Sequence, residues 1–98
     1  MPARIQPDRL RNSLPALREA ADASAETLHY QAYYGLDMPH RGNVQRRLGR
    51  FRVHDYDVVA QAWWPEQPYA SLLILHGYYD HMGLYRHVVD WGLEMGFA

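Results

Sequence analysis

The stretch Ser71 to Tyr85 reads SLLILHGYYDHMGLY, and its residue types suit two unrelated chemistries. An apolar run that stops at His76-Gly77 can leave a loop whose backbone amides hold a developing oxyanion. The same loop offers His76, Asp80 and His81, two imidazoles and a carboxylate of the kinds that bind zinc. Acyl transfer also needs a nucleophile, and no G-x-S-x-G turn occurs in the chain. Ser13 and Ser24 suit helix caps, and Ser71 opens a strand. His54 and His81 have Asp55, Asp57 and Asp80 near them in sequence, but without a serine these read as turns and solvated charges.

The elements that must position the loop follow from hydrophobic period. Ser13 is expected to cap a helix with Pro15 in its first turn, with Leu14, Leu17 and Ala21 on one face. Ser24 is expected to cap a second helix, AETLHYQAYY, which Gly35 ends and Pro39 keeps from resuming. MPHRGN, Met38 to Asn43, reads as a linker. The period then becomes two: Leu48, Arg50, Arg52 and His54 alternate with Gly49, Phe51 and Val53, a strand with one apolar side. HDYD turns into a partner strand from Val58 to Trp64, ended by Pro65 and Pro68.

ASLLILHG does not alternate, which predicts a central parallel strand buried on both faces and places His76 to His81 at its carboxyl end, where open α/β sheets bind ligands. A crossover helix follows, with Leu84, Val88, Trp91 and Met95 as its apolar stripe, widened by Tyr85 and Val89. Arg86, Asp90 and Glu94 fall on its wet face, Gly96 is its cap, and Phe97-Ala98 begins another strand.

Composition narrows the function. The chain has 98 residues, 48% hydrophobic and 13% aromatic, with a formal charge of −1. That suits one small domain or part of a larger one and marks no nucleic-acid partner. All basic residues are arginine, and no cysteine is present, which removes disulfides, a thiol nucleophile and Cys-ligated zinc. Arg41, Arg46, Arg47, Arg50 and Arg52 read as a solvated face. His29 and His40 lack ligand spacing, and the tryptophans read as core. No signal peptide or run of about 20 apolar residues is seen, so a cytoplasmic protein without an integral membrane segment is expected.

The segment from Leu48 to Ala98 resembles the opening of an α/β-hydrolase. It is most similar to the serine hydrolases that include monoacylglycerol lipases, lysophospholipases and serine aminopeptidase-like proteins. A hairpin, a W-x-P exit, a buried strand, H-G-x-x-D-H-x-G-x-Y, a helix and G-F-A carry the likeness, with Asp80 where glutamate is common. The resemblance implies an α/β fold, with residues 1–44 a helical N-terminal extension and 45–98 an incomplete hydrolase domain. It implies a lysophospholipase-like or monoacylglycerol lipase-like esterase, acting on a small-molecule ester or lipid substrate through an acyl-enzyme, without a cofactor.

The same resemblance makes the Tyr78 backbone N–H an oxyanion-hole donor and gives His76 and Gly77 a loop-shaping role. It sets Tyr79 beside the substrate and leaves His81 and Tyr85 as loop support. Nucleophile, acid and base would lie beyond residue 98, so the fragment alone is expected to be inactive. HGYYDHMG also resembles the H-x-H-x-D-H loop of metallo-β-lactamase-like zinc hydrolases, with Tyr78 where a ligand histidine belongs. A small non-catalytic binding module is the third reading.

Overall fold

A computed structural model describes residues 4–19 and 22–98. It combines helices with a two-stranded antiparallel sheet in the order α1 (Pro7–Ser13), α2 (Ala25–Tyr34), β1 (Gln45–Val53), β2 (Tyr56–Trp64) and α3 (Arg86–Glu94). A short 3₁₀ turn, Met82–Tyr85, leads directly into α3. Among the described residues, no helix is long and apolar enough to cross a membrane.

The first helix lies earlier than the reading that began it at Ser13. Pro7 supplies a pre-set φ at the start of α1, and Ser13 is its last residue, its hydroxyl donating to the Leu10 carbonyl at 2.7 Å. Leu14 precedes Pro15, and proline disfavours the helical region for the residue before it. Leu14 accordingly turns extended, with φ −82° and ψ 133°. Segment 15–17 then runs along the outer edge of β1: Leu17 N–H donates to Arg50 O at 2.9 Å, and Arg50 N–H to Pro15 O at 3.0 Å. Gly49 permits that approach, since a Cβ there would sit 2.6 Å from the Leu17 Cα. Ala21 lies outside the described residues.

The second helix has the expected bounds. Ser24 Oγ accepts from the Thr27 N–H at 3.1 Å, and Gly35 adopts φ 71° at the far end. Leu36 N–H reaches back to Gln31 O and Gly35 N–H to Ala32 O, a Schellman closure that drives Leu36 into full burial.

The expected hairpin also forms, with Val53 opposite Tyr56 and a two-residue turn in which His54 takes φ 54°. Its core side, however, belongs to Leu48, not to Phe51 and Val53, while Gly49 is buried where segment 15–17 lies against it. Leu48 is 4% exposed and packs with Leu10, Leu14, Tyr30 and Leu36, whereas Phe51 and Val53 are exposed. The helices lie on the Leu48 side, and Phe51, 42% exposed, lies on the other. Trp63 lies against this core and against a second one, Met38, Val89 and Leu93, and its indole N–H donates to Leu36 O at 2.9 Å.

The last third differs most from its sequence reading. Leu72 and Ile74 are half-buried, while Leu73 and Leu75 are each 81% exposed, so the run is covered on one face only. It pairs along one edge: Ala70 forms a parallel bridge with Phe97, and Leu72 N–H donates to Ala98 O at 2.7 Å. On α3 the covered stripe is Val89, Gly92 and Leu93; Leu84, Val88, Trp91 and Met95 are exposed. The helix carries two adjacent apolar stripes, and only one meets β2 and Ile74. A second Schellman closure, Phe97 N–H to Gly92 O and Gly96 N–H to Leu93 O with Gly96 at φ 86°, turns the chain from α3 into that parallel pairing.

Candidate functional site

Extended segment, loop, helix and parallel return place His76 to His81 at the carboxyl end of the Ala70–Leu75 segment. Gly77, Tyr78, Tyr79 and Asp80 make a tight turn closed by Asp80 N–H donating to Gly77 O at 3.1 Å. His76 Nδ1 donates to the same carbonyl at 2.9 Å, which sets its tautomer and leaves Nε2 as the free lone pair. The Tyr78 N–H makes no hydrogen bond with any described residue. Tyr78 and Tyr79 are 92% and 94% exposed, their rings meeting edge to face with centroids 4.8 Å apart.

Two side chains pin the far side of the turn. The Tyr85 hydroxyl donates to Asp80 Oδ2 at 3.0 Å, and that bond is the main cause of a phenol pKa raised above its ordinary value. His81 caps the 3₁₀ turn by accepting the Gly83 N–H at Nδ1, 3.2 Å away, and its ring lies against Tyr34 of α2 at 5.1 Å. A side chain at Gly83 would collide with both rings, its Cβ 2.9 Å from each. The loop is thereby tied to α2 as well as to α3.

The His81 cap bears on the zinc chemistry, because its Nδ1 lone pair is already used internally. Among the described residues, no three His, Asp or Glu side chains are grouped so as to hold a metal ion. Asp55 and Asp57 sit at the hairpin tip, where Asp57 Oδ2 accepts from Arg50 at 3.3 Å.

The arginines read as a solvated face are largely engaged. Arg41 donates to Asp90 at 2.6 Å and to Glu94 at 2.9 Å, and His40 meets the same Asp90 oxygen at 2.7 Å. These contacts fasten the 38–44 linker to α3, and they hold the Asp90 carboxyl below its usual range, chiefly through Arg41 and then His40. Arg46 and Arg47 reach Gln31, Asp37 O and Leu17 O. No sequence spacing signals such contacts, which join segments 9 to 53 residues apart.

No family model matches the chain, and neither a curated protein nor a solved structure does.

Proposed function

We propose that this chain carries the oxyanion loop of an α/β-hydrolase-type serine hydrolase that acts on carboxylic, lipid-like esters through an acyl-enzyme. The observation that supports it is the parallel bridge of Phe97 to Ala70, by which α3 returns the chain beside the extended segment that leads into the His-Gly turn. In that turn the Tyr78 N–H has no acceptor among the described residues. An amide aimed at a carbonyl oxygen under attack stabilises the charge that develops there, and in water-excluded sites removing such a donor costs about 3 to 4 kcal/mol. His76 and Gly77 shape the turn, and Tyr79 stands at its open side.

Attack requires a serine with its base and acid, and these 98 residues contain no G-x-S-x-G turn. The chain alone is therefore expected to hydrolyse no ester. The test is a protein carrying these residues together with any that follow them in the reading frame. Labelling by a fluorophosphonate and hydrolysis of a p-nitrophenyl ester are the expected results; failure of both overturns the reading.

A further inference from the structure

The peptide unit between Gly77 and Tyr78 is held from one side only. Its carbonyl accepts two hydrogen bonds, from the Asp80 N–H at 3.1 Å and from His76 Nδ1 at 2.9 Å. Its N–H points the opposite way, as in any trans peptide, and has no acceptor among the described residues. A carboxylate stands close to this half-satisfied unit. Asp80 Oδ2 lies 3.3 Å from the point where a Cβ on Gly77 would sit. Across a trans peptide the N–H falls on the same side as the preceding Cα, so the carboxylate rests on the side of the unit that carries the Tyr78 N–H.

An ionised carboxylate accepts from a backbone N–H about twice as strongly as a neutral group does. The Tyr78 N–H nevertheless stays vacant, and a different donor engages the carboxylate. The Tyr85 hydroxyl, from the residue that leads into α3, donates to Asp80 Oδ2 at 3.0 Å. The Gly77 backbone N–H also bears on that hydroxyl oxygen, lowering its pKa against the rise that Asp80 causes. One phenol thus faces both Gly77 and the carboxylate. Tyr85 closes the 3₁₀ turn that His81 caps, and the His81 ring against Tyr34 ties that turn to α2.

We propose that Tyr85 is a positioning residue: its hydroxyl holds the Asp80 carboxylate off the Tyr78 N–H and, on the hydrolase reading above, keeps the oxyanion donor open to substrate. Without the hydroxyl, the carboxylate turns to the amide two residues before it and fills the place of the substrate oxygen. Its charge there also repels the charge that develops on that oxygen.

The experiment measures hydrogen exchange of the Tyr78 amide by nitrogen-15 NMR of the 98-residue chain. Tyr85→Phe is expected to slow exchange about tenfold and to move the amide proton downfield, the marks of a new hydrogen bond to a charged acceptor. Adding Asp80→Ala is expected to return both to the parent values, a rescue that a merely structural role for Tyr85 does not give. The same spectra establish that each variant is folded. Tyr85→Met, which also lacks the hydroxyl, repeats the measurement where Tyr85→Phe is not. Unchanged or faster exchange in a folded variant overturns the proposal, as does slowing that persists without the Asp80 carboxylate, or loss of the fold in both variants. None of these results depends on catalysis. In an active hydrolase bearing this loop, Tyr85→Phe should lower kcat/KM by the same factor, with Asp80→Ala restoring it. The expected exchange pattern in a protein that hydrolyses no ester overturns the hydrolase reading and leaves the role of Tyr85 standing.

Discussion

The Tyr85 hydroxyl donates to Asp80 Oδ2 across 3.0 Å, joining the His-Gly turn to the residue that precedes α3. The bond stabilises the protonated phenol, and the carboxylate charge opposes its ionisation, so both raise its pKa. Asp80→Asn removes the charge and should move the Tyr85 titration back toward about 10. Carbon-13 NMR of labelled tyrosine reads this directly. An unchanged midpoint would mean that the contact is not populated in solution.

Tyr78 is assigned through its backbone, and that separates two substitutions. In an active hydrolase bearing this loop, Tyr78→Pro should lower kcat about a hundredfold or more, because proline has no N–H to donate. Tyr78→Ala keeps the amide and should do much less. Equal losses would transfer the role to the phenol ring.

Burial separates two leucines. Leu93 is 8% exposed within the Met38 and Val89 core, so Leu93→Ala should destabilise by about 2 to 4 kcal/mol in urea unfolding. Leu73 is 81% exposed, and Leu73→Ala should stay within about 0.5 kcal/mol. A large loss at Leu73 would show that its face is covered.

Alkali should weaken the first core. Burial, and then the neighbouring Tyr34, pushes the Tyr30 phenol up to about 12. A folded-state pKa above the unfolded value near 10 means that the contribution is complete below pH 10 and is lost as pH rises through about 12. Tyr30→Phe has no proton to lose, so its urea midpoint should fall less than that of the parent across this window. Parallel losses would remove Tyr30 as a source of alkaline sensitivity.

Local signals carried the sequence reading where one residue decides the geometry. Ser24 and Gly35 delimit α2 because a cap and a left-handed glycine act within a single turn. The hairpin was legible from its period, though not its covered face: the alternation sets Leu48 and Phe51 on opposite sides without saying where the helices will lie. The same ambiguity misplaced the α3 stripe, since Val88 and Val89 are equally apolar and only contact with Ile74 and Trp63 chooses between them. At Leu14 two local signals compete: Pro15 suits the first turn of a helix, yet it also keeps its predecessor out of one, and the second decides. The turn after Gly77 was legible from its glycine, but the buried parallel strand expected before it does not form: residues 71–77 are extended without strand pairing beyond the Ala70–Phe97 bridge and the Leu72–Ala98 bond.

The strip of chain at Pro15 to Leu17 gives the sheet a direction of growth. It occupies the outer edge of β1 around Arg50, and the absent side chain of Gly49 lets it lie flush, so that rim is closed to newcomers. The outer rim of β2 has no strand beside it among the described residues. Around Arg50, a strand enlarging this sheet would therefore find its unpaired edge next to β2.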